Sequence, residues 1–123
     1  MTALNVLGGR LIACSYAPLT GWHRDGCCHS DASDLASHVV CVKVTVGFLN
    51  HQMEAGNDLI TPRPEFRFPG LKPGDRWCVC ALRWLEAQRA GHAPPVVLEA
   101  THVDALRHVP LALLQAHAVE AVG

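Results

Sequence analysis

The sequence predicts a small α+β domain. Three observations lead there: a length of 123 residues, short β-branched runs interspersed with helix-like stretches, and a proline- and glycine-rich segment through the middle. A chain of this length buries roughly two-thirds of its unfolded surface as one unit, whereas two separate cores would each be marginal. Residues 1–123 are therefore read as one domain. Half of the residues are hydrophobic and 17% are charged, a balance that suits a packed core and excludes a disordered chain. The apolar runs at 39–42 and 94–98 fall far short of the roughly 18 to 20 residues that cross a bilayer.

The first ten residues lack a basic stretch followed by a sustained apolar run, and Asn5, Gly8, Gly9 and Arg10 interrupt any secretory core. The chain is read as cytoplasmic, without membrane attachment. Ten basic and eleven acidic residues leave a net charge of −1, so the long-range field favours neither a phosphate backbone nor an anionic lipid. No nucleic-acid partner is indicated. An unidentified small molecule or protein is the expected partner.

Along the chain, residues 10–14 read as a short extended piece. Pro18, Thr20-Gly21 and Asp25-Gly26 then mark a turn-rich stretch anchored by Tyr16 and Trp22. Residues 38–43 are rich in β-branched side chains and read as a buried strand. Thr45 is a suitable N-cap for a helix carrying Phe48, Leu49 and Met53, with Gly56 placed for a left-handed stop. From 57 to 74, Pro62, Pro64, Pro69 and Pro73 with Gly70 and Gly74 leave little room for helix or strand. This is a long ordered loop pinned by Phe66 and Phe68. Long loops in compact domains are disproportionately functional.

Residues 76–80 read as a strand leading into a helix over 81–90, with Leu82 and Leu85 on one face and Gly91 as its stop. Alternation puts Arg76, Cys78 and Cys80 on one face of that strand and Trp77 with Val79 on the other. Trp77 and Val79 should be buried, and Arg76 should meet Asp25, Asp58 or Glu65. Residues 96–98 read as a core strand. Thr101 with Asp104 resembles a capping box opening a brief helix at 103–108, and Pro110 starts a last helix that presents Leu111 and Leu114 on one face. Short mixed strands with about four helices are too irregular for a doubly wound sheet, which is why α+β is the class.

Six cysteines, Cys14, Cys27, Cys28, Cys41, Cys78 and Cys80, are the feature most in need of explanation. In a cytoplasmic chain they are expected as buried thiols acting as small hydrophobes. No metal is expected as first choice; zinc on Cys27, Cys28, Cys78 and Cys80, with His29 as a further ligand, is the alternative. Neither pair has the two-to-four-residue spacer of zinc knuckles. A reactive thiol among the same four would need a cation such as Arg24 or Arg76 nearby.

The polar candidates are Arg24, Asp25, Asn57, Asp58, Glu65, Asp75, Arg76 and His102. Each alone reads as a turn-former, local ion pair or cap, and only convergence in one pocket gives them a binding role. The expected pocket lies where the 20–28 loop meets the 57–76 loop. A small ligand-binding or accessory domain is the first reading of function, and a cysteine-dependent enzyme or zinc protein the alternative. No phosphate loop, nucleophile elbow or paired-histidine zinc helix is present.

Several blocks carry a family resemblance. They are Asn5-Val6-Leu7-Gly8-Gly9, Thr20-Gly21-Trp22-His23-Arg24-Asp25-Gly26-Cys27-Cys28, Gly56-Asn57-Asp58-Leu59 and Phe68-Pro69-Gly70-Leu71-Lys72-Pro73-Gly74-Asp75-Arg76-Trp77-Cys78-Val79-Cys80. Arg83-Trp84-Leu85-Glu86-Ala87 and the 93–102 stretch continue them. Together they resemble the bacterial family known as domain of unknown function 2237, over nearly the whole chain. The resemblance implies a stand-alone prokaryotic domain and brings no activity with it. Arg24, Asp25, Cys27, Asn57, Asp75, Arg76, Cys78 and His102 lie within the matching blocks, while His51 and His92 lie outside them. The chain departs from the family pattern at Val46 and Gly47, where polar or acidic residues would open the helix.

Overall fold

The structure is a computed structural model that describes residues 3–34 and 37–119. Its sheet is a single antiparallel pair, β1 (Val40–Lys43) and β2 (Arg76–Val79). In register, Val40 faces Val79, Cys41 faces Cys78, Val42 faces Trp77 and Lys43 faces Arg76. Because side chains alternate along a strand, Val40, Val42, Trp77 and Val79 share one face and Cys41 and Cys78 the other. Both faces are covered, which is why β1 reads as an unbroken apolar run. The valine and tryptophan face joins the main core with Phe48, Trp84, Val96 and Leu114. The cysteine face belongs to a second cluster with Cys14, Cys28, Val97 and Ala100.

Helix α1 (Val46–Glu54) begins as its sequence dictates: the Thr45 hydroxyl oxygen accepts from the Phe48 amide at 3.1 Å, a cap worth about 1 kcal/mol. The departure at Val46 and Gly47 leaves no acidic residue in the first turn. Gly56 closes the helix with φ of 88°. In α2 (Ala81–Arg89) the buried face is Ala81, Trp84 and Ala87, while Leu82 is 55% exposed. The expected Leu82–Leu85 face is thus rotated, because seating the large indole of Trp84 decides which side points inward. Its Nε1 donates to the Pro94 carbonyl at 3.2 Å. Helix α3 (Leu111–Ala116) follows Pro110 and buries Leu114.

Three α-helices and three short 3-10 turns stand among the described residues, in place of the four helices expected. The 103–108 helix is one of these turns (Val103–Arg107), and its cap is His102, whose Nδ1 accepts from the Asp104 amide at 3.0 Å. Thr101, read as the cap, is instead fully buried: its hydroxyl accepts from the Cys41 amide and donates to the Val97 carbonyl. The strand expected at 96–98 reduces to bridges at Val96, after which the chain coils into Leu98–Ala100. The extended piece at 10–14 likewise contributes only a bridge from Arg10 to Leu4.

The proline-rich loop is ordered by its own backbone. Arg63 and Phe68 exchange two hydrogen bonds around the Pro64–Phe66 turn, and the Leu71 amide donates to Leu59. Phe68 is buried as expected; Phe66 is not, standing 65% exposed at the turn's tip.

Candidate functional site

Strand β2 pairs with β1 along one edge only, and two cavities open around its other side. The larger, about 450 Å³, lies between the 21–24 turn and the 58–68 loop, with Trp77 and Cys78 in its wall. The smaller, about 250 Å³, is walled by Asn57, Val79, Cys80 and Arg83. They share His38, Leu59, Trp77 and Cys78 and so form two lobes of one recess.

Arg24 ties the two loops together. Its guanidinium donates to the carbonyls of Gly21 at 2.6 Å, Phe66 at 3.0 Å and Arg67 at 3.4 Å, and lies 4.9 Å from the centre of the Trp77 ring. Arg24 and Arg67 both hold φ of 53°, a left-handed conformation uncommon for residues with a Cβ. Partial burial, and then the neighbouring Arg67 charge, lower the Arg24 pKa from its ordinary value. The other polar groups of the larger lobe are Arg63, Arg67, Asp58, Glu65 and His38. Asp58 is partly occupied in accepting from the Ile60 and Thr61 amides, and Arg63 sits 4.0 Å from Glu65.

The Asp34–His38 pair has no counterpart among the sequence candidates. The Asp34 carboxylate, buried, accepts from the His38 amide and meets its Nδ1, each at 2.8 Å. The ring is thereby fixed where it lines both lobes, stacked on Trp22 at 5.6 Å between centroids. An Asp and a His four residues apart in a serine-rich stretch look like ordinary solvated side chains; the only local signal is Trp22.

Of the other candidates, Arg24, Asp58 and Glu65 line the larger lobe and Asn57 the smaller. Asn57 also donates to the buried Gln52 amide oxygen at 2.8 Å. Asp25, Asp75, Arg76 and His102 line neither lobe. Asp25 accepts from the Cys27 amide and pairs with His29. Burial pushes the Asp25 carboxyl up, but the hydrogen bonds from His29 and the Cys27 backbone, with the imidazole charge, outweigh it and the pKa is lowered. Asp75 accepts from the Lys72 amide in its turn. Arg76 is exposed, and no ion pair among the described residues includes it. The expected partner is missing because register sets Arg76 against Lys43. Burial lowers the His102 pKa, against the raising effect of Asp104.

The cysteines correct the expectation of six thiols. Cys14 is bonded to Cys41 and Cys28 to Cys78, leaving Cys27 and Cys80 free. The strand partners Cys41 and Cys78 each reach outward to a loop cysteine. Their outer backbone groups are held by buried threonines, the Cys41 amide by Thr101 and the Cys78 amide by Thr20 at 2.8 Å. The zinc set Cys27, Cys28, Cys78 and Cys80 does not assemble; the sulfurs that converge within 4.8 Å are those of Cys14, Cys28 and Cys78. All three belong to disulfides, and a disulfide sulfur is not a thiolate ligand. At Cys27, burial and then the Asp25 charge raise the pKa, opposite to what an activating cation would do.

The sequence of residues 4–118 matches the family described as an uncharacterised protein conserved in bacteria, domain of unknown function 2237. The chain belongs to that family. No curated protein matches it. In this member of domain of unknown function 2237, no helix of the described residues is long and apolar enough to cross a membrane.

Proposed function

We propose that the chain binds a small, flat, anionic molecule in the two-lobed recess. The observation that carries this is the composition of the larger lobe. Trp22, Phe66, Phe68 and Trp77 supply aromatic surface, while Arg24, Arg63 and Arg67 outnumber Asp58 and Glu65. Ligand sites are typically concave and largely apolar, with a few placed polar groups, and volumes of about 300–1,000 Å³. Guanidinium groups suit carboxylates, and aromatic faces suit planar rings. His38, oriented by Asp34, would supply a further donor or acceptor between the lobes. A cytoplasmic setting is part of the same proposal.

The test uses the acid and the amide of one ring, naphthoate against naphthamide. Trp22 and Trp77 line the lobe, so binding reads out as tryptophan quenching together with a rise in melting temperature. A ligand at 100 times its Kd adds about 2.7 kcal/mol of stability. The acid should shift both signals, and Trp22→Ala should weaken the effect. Silence from both probes across the millimolar range would overturn the reading of the recess, and equal response to acid and amide would overturn its preference for anions.

A further inference from the structure

Two disulfides tie loop cysteines to one face of a two-stranded sheet, and only one of them has a cysteine in the wall of the recess. Of the four bonded cysteines, Cys78 alone lines the cavity, in both lobes. Cys78 is 2% exposed, and its partner Cys28 is fully buried. The Cys14, Cys28 and Cys78 sulfurs lie within 4.8 Å of one another, and Cys41 stands outside that group. Cys41 and Cys78 are cross-strand partners. The outward bonds of Cys41 to Thr101 and Val97, and of Cys78 to Thr20, mark them as a non-hydrogen-bonded pair, the kind in which side chains approach most closely.

We propose that the two disulfides form a thiol–disulfide relay, in which a low-molecular-weight monothiol enters the recess, bonds to Cys78 and sets free Cys41. In the first step the incoming thiolate attacks the Cys78 sulfur. An S–S bond forms between the monothiol and Cys78, the Cys28–Cys78 bond breaks, and its electron pair leaves on Cys28. In the second step the Cys28 thiolate attacks Cys14, forming Cys14–Cys28 and expelling Cys41. The proton lost by the monothiol ends on Cys41. No net oxidation occurs: one free thiol is consumed and another appears.

The regiochemistry follows from position. A thiolate attacks along the extension of the S–S bond, so the leaving sulfur lies opposite the nucleophile. The Cys14 sulfur lies within 4.8 Å of both Cys28 and Cys78, a group that Cys41 does not join, so Cys14 is the sulfur within reach of the Cys28 thiolate. Disulfides in a reducing cytoplasm are usually transient and chemical in role. The relay uses the recess only as a way in, so it stands whether or not the recess prefers anions.

The experiment treats folded protein with excess 2-mercaptoethanol, quenches with acid, alkylates and maps the bonds. In a C27S/C80S background, cleavage at Arg, Lys and before Asp puts Cys14, Cys28, Cys41 and Cys78 on four different peptides. Expected early products are the thiol adduct on Cys78, a Cys14–Cys28 cross-linked peptide and alkylated Cys41, with matching loss of the Cys14–Cys41 peptide. In C14S/C41S, alkylation should move to Cys28. Should either variant misfold, wild-type protein with fragmentation of both the Cys27-Cys28 peptide and the Cys78-Cys80 peptide gives the same map. The relay is overturned if Cys28 is alkylated while Cys14–Cys41 stays intact, if the first adduct is on another cysteine, or if no adduct forms until the protein unfolds.

Discussion

The guanidinium of Arg24 rests on the Trp77 ring, 4.9 Å from its centre, while its nitrogens hold the carbonyls of Gly21, Phe66 and Arg67. One side chain from the first loop therefore fixes both the second loop and the strand beneath it. Replacing Arg24 with Ala should cost about 1–2 kcal/mol, combining a cation–π contact with hydrogen bonds to carbonyls. Arg24→Lys should recover only part, since an ammonium lacks the planar fork. Urea denaturation of the three proteins measures this, and a loss below about 0.5 kcal/mol, the ordinary surface value, would show that the loops hold without it.

Arg76 makes the opposite case. It stands directly across from Lys43, both exposed, and like charges in that relationship are destabilising by roughly 0.2–1 kcal/mol. Arg76→Ala should be neutral or slightly stabilising, and Arg76→Glu should stabilise further by pairing with Lys43. Raising the salt concentration should shrink the difference between the wild-type protein and the Arg76→Glu variant. A clear loss of stability in Arg76→Ala would mean that the side chain has a partner elsewhere.

Gly70 and Gly74 separate two reasons for glycine within one loop. Both hold positive φ, 80° and 96°, but a Cβ on Gly70 would lie 2.4 Å from the Ile60 carbonyl oxygen, whereas one on Gly74 meets nothing within 4 Å. Gly74→Ala should cost about 1 kcal/mol for the left-handed backbone. Gly70→Ala should cost more, roughly 2–3 kcal/mol, because backbone must move. Equal melting temperatures for the two variants would contradict the packing of the loop against Ile60.

His102 sets a pH window. Burial lowers its pKa in the folded chain, so the unfolded chain binds the proton more tightly, and protonation favours unfolding. Its contribution to stability is fully present above the unfolded value of about 6.5 and is lost as pH falls from there through the folded pKa. Asp25, whose folded pKa is lowered, contributes in a separate, more acidic window that opens below about pH 4. His102→Asn, able to keep an acceptor for the Asp104 amide, should flatten the profile between about pH 7 and 5. An unchanged slope would assign that acid sensitivity to other histidines.

Local chemistry was legible in the residues and long-range pairing was not. The Thr45 cap, the Gly56 stop and the Trp77–Val79 face depend on neighbours within a turn or a strand, and each forms as its residues imply. The meeting of the two loops was also legible, because turn residues confined both segments to the surface. Disulfide partners depend on the register of β1 against β2 and on where Cys14 and Cys28 fold back, which no spacing encodes. Leu82 misled because hydrophobicity counts residues, whereas packing favours the largest one, Trp84. Thr101 misled because a hydroxyl before an acid looks like a cap until burial gives it two other backbone partners, Cys41 on β1 and Val97 four residues back.

Residues 3–34 contain no helix and no strand, only turns and single bridges. Their two covalent attachments, at Cys14 and Cys28, land on opposed positions of the sheet. While both bridges are closed, this segment cannot peel away without opening the sheet, so its buried amides should exchange with solvent hydrogen as one unit with β1 and β2. Once they are open, the same segment is held by backbone bonds and packing alone. Limited proteolysis of the reduced protein should then cut first within this segment.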